Sequence, residues 1–553
     1  MTELTIPASV TSIRNAFLEC SGLECISVLD GNQFYDSRDN CNAIIKTSNN
    51  SLITGCKNTT IPNSVSIIGS DAFSGCTGLT NISIPNSVTD ICAEAFAGCS
   101  ELQYIYIPNS VTTIGSYAFS GCSSLTHITI PSSVKNIQNG IFQGCNGLES
   151  IHVMSDNPYY DSRNNCNAII RTAKNTLIAG CKTTTIPNSI TSIDEYAFFE
   201  CSSLTNIFIP NSVTFIGDYV FHGTGLTSIE IPNSITSISH CAFYNCNDLI
   251  SVTLPNSITS ISDLSFSKCK SLKCITIPNS VVTIGNHAFF LCSSLTNVSL
   301  GNSITTIGGS AFSGCKRLSS ITIPKSVSSI GDLAFNNCSN LNSIIVMEGN
   351  PTYDSRENCN AIIKTANNSL LFGCRTTIIP NTVTTIEAYA FSGRQGLTKI
   401  IIPKSVISID YASFADCSDL IQITIPISVT NIGGYAFNGS DNLTTINCFA
   451  ESPPIMYNSN CFSSYDKATL YVPKESLERY QNENWWCLFK NIKSLTEVIS
   501  GDVNGDGEVN IADINAVIGQ ILTANYTVDG DVNGDGEVNI ADINAIIEKI
   551  LVG

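Results

Sequence analysis

At 553 residues, 43% hydrophobic and 13% charged, the chain could bury a large core, and no apolar run approaches the roughly 18 residues needed to cross a bilayer. The net charge of −18 is uneven: residues 501–553 hold seven Asp, three Glu and one Lys, or −9. The remainder carries the other −9 without a basic stripe, which argues against nucleic acid and anionic membrane as partners.

In chain order, MTELTIPASV has neither a basic n-region nor an apolar h-region. Leu4-Thr5-Ile6-Pro7 already reads as a repeat strand with nothing before it to cover the open end. The sequence is therefore expected to start downstream of the true N-terminus. Up to Leu443 nearly every segment is a copy of residues 102–124, LQYIYIPNSVTTIGSYAFSGCSS, with a period of 23. A unit this short cannot bury its apolar face alone, and stacking identical units is the remedy. Repeat prolines from Pro7 to Pro426, with Gly301 in one slot, mark about 15 coils of a β-rich solenoid. Alternation before each proline predicts a short strand with Leu125, Ile128 and Ile130 facing in and Thr126 and Thr129 facing out. Proline ends that strand, NSVTTIG supplies a turn and a second extended piece, and SYAFSGCSS turns back.

Three hairpin inserts lengthen the period by 32 or 33 residues and resemble one another: FYDSRDNCNAIIKTSNNSLITGC, YYDSRNNCNAIIRTAKNTLIAGC and TYDSRENCNAIIKTANNSLLFGC. Each reads as two or three strands looping out of the coil. Their cysteines fall 15 apart, at Cys41 and Cys56, Cys166 and Cys181, and Cys359 and Cys374; a cross-strand disulfide and plain packing are both open. Twelve of the 25 cysteines lie three residues after the repeat Phe, among them Cys99, Cys122 and Cys292, and are expected to be stacked packing thiols. Thr224, Arg394 and Ser440 replace them in three coils.

After Leu443 the period is lost. The stretch to residue 499 carries Trp485 and Trp486 and a short helix after Pro473, and reads as a cap over the last coil, with sugar binding by the Trp pair as the competing reading. The domain division is 1–446 solenoid, 447–499 cap and 500–553 a small all-α domain. The IPNSVTxIGxxAFxxCxxL coil, the YDSRxNCNAII inserts and the LYVPKxSLxxY cap resemble BspA-like leucine-rich repeat proteins. That resemblance implies an extracellular or bacterial cell-surface array associated with adhesion and protein binding, without catalysis.

Residues 502–522 recur at 531–551 with 18 of 21 positions identical. In DVNGDGEVNIAD, Asp502, Asn504 and Asp506 hold positions 1, 3 and 5 of a twelve-residue loop, Glu508 offers its carbonyl at 7, Asn510 stands at 9 and Asp513 at 12. Calcium needs six to eight hard oxygens wrapped round a sharp glycine turn, which is this pattern. Asp531, Asn533, Asp535, Glu537, Asn539 and Asp542 repeat it, so two Ca²⁺ ions are expected. Apolar residues at helical spacing follow each loop: Ile514, Val517, Ile518 and Ile521, then Ile543, Ile546, Ile547 and Ile550. Asp at position 12, and no helix before either loop, resemble a dockerin domain. This resemblance implies a cohesin module or scaffoldin as partner, contacted through loop positions 10 and 11, Ile511-Ala512 and Ile540-Ala541.

Histidines 127, 152, 222, 240 and 287 are scattered, and no nucleophile triad or phosphate loop stands out, so no enzyme is expected. The expected function is a cell-surface interaction or adhesion protein. Its array would bind a protein, a host matrix component included, and its dockerin would attach it to a scaffold. The alternative is a carbohydrate-binding accessory of polysaccharide catabolism. Tyr104, Tyr106 and Phe208 are outward aromatics, and without a continuous aromatic stripe the protein partner is preferred.

Overall fold

The structure is a computed structural model that describes residues 2–13, 17, 20–495, 503, 509–523, 530–533 and 537–552. They fall into two compact units, Met1–Cys315 with Ser329–Ala334, and Lys316–Ser328 with Phe335–Gly553.

In the first unit most coils contribute two short parallel strands. Asn81–Ser83 pairs with Tyr104–Tyr106, and His127–Ile130 with Ser150–Val153, each in register with the strand one coil on. The second extended pieces form their own ladder, Ile67–Ile68, Asp90–Ile91, Thr113–Ile114 and Asn136–Ile137. The inward residues, such as Leu102, Ile105, Ile107, Val111 and Ile114, are buried, and Tyr104 and Tyr106 point out. The turn side is a third ladder without regular strands: the N–H groups of Tyr117, Phe119 and Gly121 donate to the carbonyls of Asn139, Ile141 and Gln143. Two residues per coil adopt left-handed backbone to aim these amides. Gly121 does so at φ +71° without strain, whereas Tyr117 at 58° bears the cost of a side chain there.

The repeat Phe rings stack along this side, Phe73, Phe96 and Phe119 at 5.1 and 5.7 Å between centroids, and Phe243, Phe266 and Phe289 at 5.2 and 5.4 Å. The ladder cysteines prove to be more than packing. The thiol of Cys99 donates to the Phe73 carbonyl at 3.2 Å, Cys122 to Phe96 at 3.2 Å, and Cys292 to Phe266 at 3.1 Å. In the second unit Cys417 does the same to Phe391 at 3.1 Å. Two of the departures keep a donor pointing back at an earlier coil. Ser440 donates to Phe414 at 2.9 Å, and wholly buried Arg394 donates from Nε to Gly373 at 2.8 Å and from Nη2 to Phe335 at 3.1 Å. No disulfide forms among the described residues. In the inserts Cys56 donates instead to Asn42 and Cys374 to Asn360.

The inserts do not loop out of the coil; this corrects the expectation. Each is three-stranded: Tyr160–Asp161 runs antiparallel to Ala168–Arg171, which runs antiparallel to Thr176–Gly180. The third strand then takes a place in the parallel second ladder beside Ser192–Ile193. Gly180 is required there because a Cβ would sit 2.2 Å from the Phe198 ring. The DSR turn is a clamp: Arg163 grips Asp161 through Nε at 2.7 Å and Nη2 at 2.5 Å, and its Nη1 reaches Asn175 at 2.8 Å. Arg38 and Arg356 repeat it with Asp36 and Asn50, and with Asp354 and Asn368.

In the second unit the first-strand ladder does not stop where the period is lost. Lys399–Ile401, Gln422–Ile425, Thr445–Cys448, Thr469–Val472 and Asn491–Ser494 run on as one parallel sheet, and Phe462 stacks on Phe437 at 4.8 Å. The coil count is thus slightly higher than the prolines mark. A short helix, α1 (Leu477–Asn482), and Trp486 close the core; Trp486 is buried with Nε1 on the Pro454 carbonyl at 2.8 Å, while Trp485 is exposed.

Burial raises the Cys76, Cys292 and Cys417 thiols to about 12, so almost no thiolate exists at neutral pH. A thiol-reactive chromophore should therefore label the exposed Cys25, Cys274 and Cys487 fast, and the ladder thiols only after denaturation. Because the ladder thiol acts as a donor, Cys122→Ser should lose less stability than Cys122→Val, by about 0.5–1.5 kcal/mol in chemical denaturation. A pure packing role would give the reverse order.

Candidate metal centre and binding surfaces

Two 13-residue helices, α2 (Ile511–Thr523) and α3 (Ile540–Val552), follow the duplicated loops and pack on each other. Val517 and Ile546 are buried, whereas Ile518, Ile547 and Ile550 are exposed, so the apolar stripe read from spacing is only partly covered. Each helix is capped by its loop asparagine: Asn510 Oδ1 accepts from Ala512 N, and Asn539 Oδ1 from Ala541 N, both at 2.7 Å.

The position-12 aspartates are fully buried in both copies. Asp513 accepts from Val503 N at 2.6 Å and Asn510 N at 2.9 Å. Asp542 accepts from Asn533 N at 3.1 Å and Asn539 N at 2.8 Å. Each carboxylate therefore ties the start of its loop to the start of its helix. Glu537, besides its carbonyl, has Oε2 within 3.2 Å of Asn539 Nδ2. Asp502, Asn504, Asp506, Glu508 and Asp535 lie outside the described residues. Of the expected ligands, Asn510 and Asp513 are brought together in the first copy, and Asn533, Glu537, Asn539 and Asp542 in the second, where Asp531 is also described. Among the described residues no three acidic, His or Cys side chains converge on one point. The donor set nonetheless fits a hard cation. A fully buried carboxylate needs a positive partner, and among the described residues no Lys, Arg or His side chain forms an ion pair with Asp542. When bound, calcium would supply that charge and hold the loop oxygens in place.

The four expected partner-contact residues, Ile511, Ala512, Ile540 and Ala541, are exposed at the helix starts, with Ile511 and Ile540 each 71% accessible. On the repeat array Tyr104 and Tyr106 are 58% and 54% accessible and Phe208 is 74%. The turn side of the first unit also carries a continuous aromatic strip, against the expectation that none exists. Tyr117 meets Tyr196 edge to face at 6.3 Å, Tyr196 stacks on Tyr219 at 5.2 Å, and Tyr219 meets His240 at 5.4 Å. A second row stacks Phe199, His222 and Tyr244 at 4.4 and 4.9 Å. Its signal lay in the aromatics flanking the buried Ala-Phe or Val-Phe pair, in EYAFFE and DYVFHG.

A family model described as BspA type leucine rich repeat region matches residues 43–168, 177–293, 260–370 and 368–496, and one described as Dockerin type I domain matches 500–551. Among solved structures, a leucine-rich repeat protein from Eubacterium ventriosum is 24% identical, covering 60% of this chain and 88% of its own, with a TM-score of 0.45. One from Bacteroides ovatus is 23% identical over 90% of this chain and 92% of its own, with a TM-score of 0.35. A leucine rich cell surface protein from Faecalibacterium prausnitzii is 20% identical over 84% and 94%, with a TM-score of 0.35. No curated protein matches.

The buried aspartates generate a direct test. In calcium titrations read by calorimetry, Asp542→Ala should abolish one of two binding events, and the double change Asp513→Ala, Asp542→Ala both. In chelator, the α2–α3 helical signal should fall while the strand signal persists.

Proposed function

The chain belongs to the BspA-type leucine-rich repeat family, and from that premise we propose that it is an extracellular display protein, anchored at one end and recognising a partner along its array. Residues 500–553 form the anchor, 1–446 the array and 447–499 the cover of its last coils. Two calcium ions hold the anchor, and a cohesin module on a scaffold or cell surface receives it. One observation carries this reading: the two copies present the same face. Ile511 and Ile540 are equally accessible, and Asp513 and Asp542 are buried with matching hydrogen bonds.

The array's outward strand face, with Tyr104 and Tyr106 at its most aromatic point, suits a protein partner, because tyrosines offer large contact area at low entropic cost. Leucine-rich solenoids and dockerins are non-catalytic domain types. A carbohydrate-binding role gains support from the aromatic strip on the turn side.

Pull-down of the full chain against a panel of cohesins should retain at least one in calcium and release it in chelator. Retention that ignores chelator would refute the calcium-dependent anchor. Because the copies match, Ile511→Asp or Ile540→Asp alone should leave most binding, and the double change should remove it.

A further inference from the structure

We propose that the turn side of residues 117–244 is a binding site for a neutral polysaccharide chain. The ring geometry is the first argument. Tyr196 and Tyr219 are parallel within 5°, so they show mainly their edges to solvent. The rings at either end are turned: Tyr117 stands 79° to Tyr196, and His240 75° to Tyr219. Tyr117 folds across Gly140, where a Cβ would fall 2.4 Å from its Cε1, and the bare glycine is buried beneath it. One face of Tyr117 therefore lies on the coil, and the ring as a whole is half-buried. Four coil steps of about 4.8 Å separate Tyr117 from His240, or roughly 19 Å, room for a short run of sugar rings.

The polar groups beside the rings supply the second argument. Asn139 Nδ2 donates to Glu195 Oε1, and Gln143 Nε2 to Glu200 Oε2 at 3.0 Å, both on the exposed surface. Each amide–carboxylate pair offers further donors and acceptors side by side, which matches vicinal hydroxyls that both donate and accept. Charge narrows the ligand. Glu195, Glu200 and Asp218 border the strip and repel an anionic glycan. Lys268, at its margin, is engaged over the Tyr244 ring at 4.9 Å. Asp218 also accepts from the His240 amide at 3.1 Å, and a basic peptide enters the test below as the competing ligand for these carboxylates. The strip lies on the turn side, away from the outward strand face of Tyr104 and Tyr106, and uses neither calcium loop.

The test is affinity electrophoresis of the full chain through gels containing β-glucan, xylan, galactomannan or starch, with polygalacturonate and an oligo-arginine peptide as charged comparators. At least one neutral polysaccharide should retard the chain, equally in calcium and in chelator and undiminished at high salt. Calcium independence separates this outcome from success or failure of the cohesin anchor. Tyr117→Ala and Tyr219→Ala should each weaken retardation about tenfold, and Tyr104→Ala should not. If either tyrosine variant loses its native melting transition, hydrogen-exchange protection of residues 117–244 in the wild-type chain, on adding the retarding polysaccharide, replaces it. The proposal is overturned if no neutral polysaccharide retards the chain. It is equally overturned if folded tyrosine variants bind as wild type, or if only the oligo-arginine peptide binds and salt removes it.

Discussion

The structure depends on one constraint: each coil must return the backbone to the same place one strand spacing further on. Once Ile82, Ile105 and their equivalents pair in register, every other side chain meets its own counterpart in the next coil. Phe rings then stack at about ring-contact distance, tyrosines on the turn side stack as well, and a thiol lies beside a carbonyl 26 residues back. The left-handed residues on the turn side are strained in isolation. They persist because each aims an amide into the third ladder, and an unmade buried hydrogen bond costs as much as the strain.

The inserts show what happens when that constraint is interrupted. After each one the stacked Phe has lost its partner one coil back, and a glycine, Gly55, Gly180 or Gly373, lies beneath the ring instead. After the first insert the slot thiol, Cys76, still reaches the Gly55 carbonyl, whereas after the third insert Arg394 occupies the slot. It spans to Gly373 and Phe335 at once. Burying a guanidinium is costly unless its donors are met, and here backbone oxygens rather than a carboxylate meet them. Burial lowers its pKa from the usual arginine value accordingly.

The coil itself was legible because its period is carried by side-chain chemistry: isoleucines at alternate positions, proline at the strand end and cysteine after Phe. Hydrogen-bonding roles were not. Cysteine looks like a small apolar residue in sequence, and only Thr224, Ser440 and Arg394, donors of different size in the same slot, hint that the slot needs a proton. The inserts were read as excursions because a break in period looks like a loop, whereas Thr176–Gly180 re-enters the ladder with a residue pattern of its own. The last strands, Thr469–Val472 and Asn491–Ser494, were hidden for the same reason: backbone pairing tolerates a change of sequence that periodicity cannot follow. In the calcium loops the ligand spacing was plain, but the burial of Asp513 and Asp542 and their grip on both loop ends are tertiary facts that spacing does not contain.

The same logic separates scaffold from display. Positions that face the core touch both neighbours, so outside the cysteine slot the coils are nearly identical there, and most variation falls on residues whose side chains leave the stack. Those residues are not scattered at random over the coil. In the first unit they place Tyr and His on either side of the buried Phe in successive coils, and stacking converts a recurring single residue into a continuous surface. A ladder fold thus builds a binding strip by repetition alone. An aromatic in one coil is a lone side chain, whereas aromatics recurring at one position along the stack give a surface with length, direction and a defined spacing.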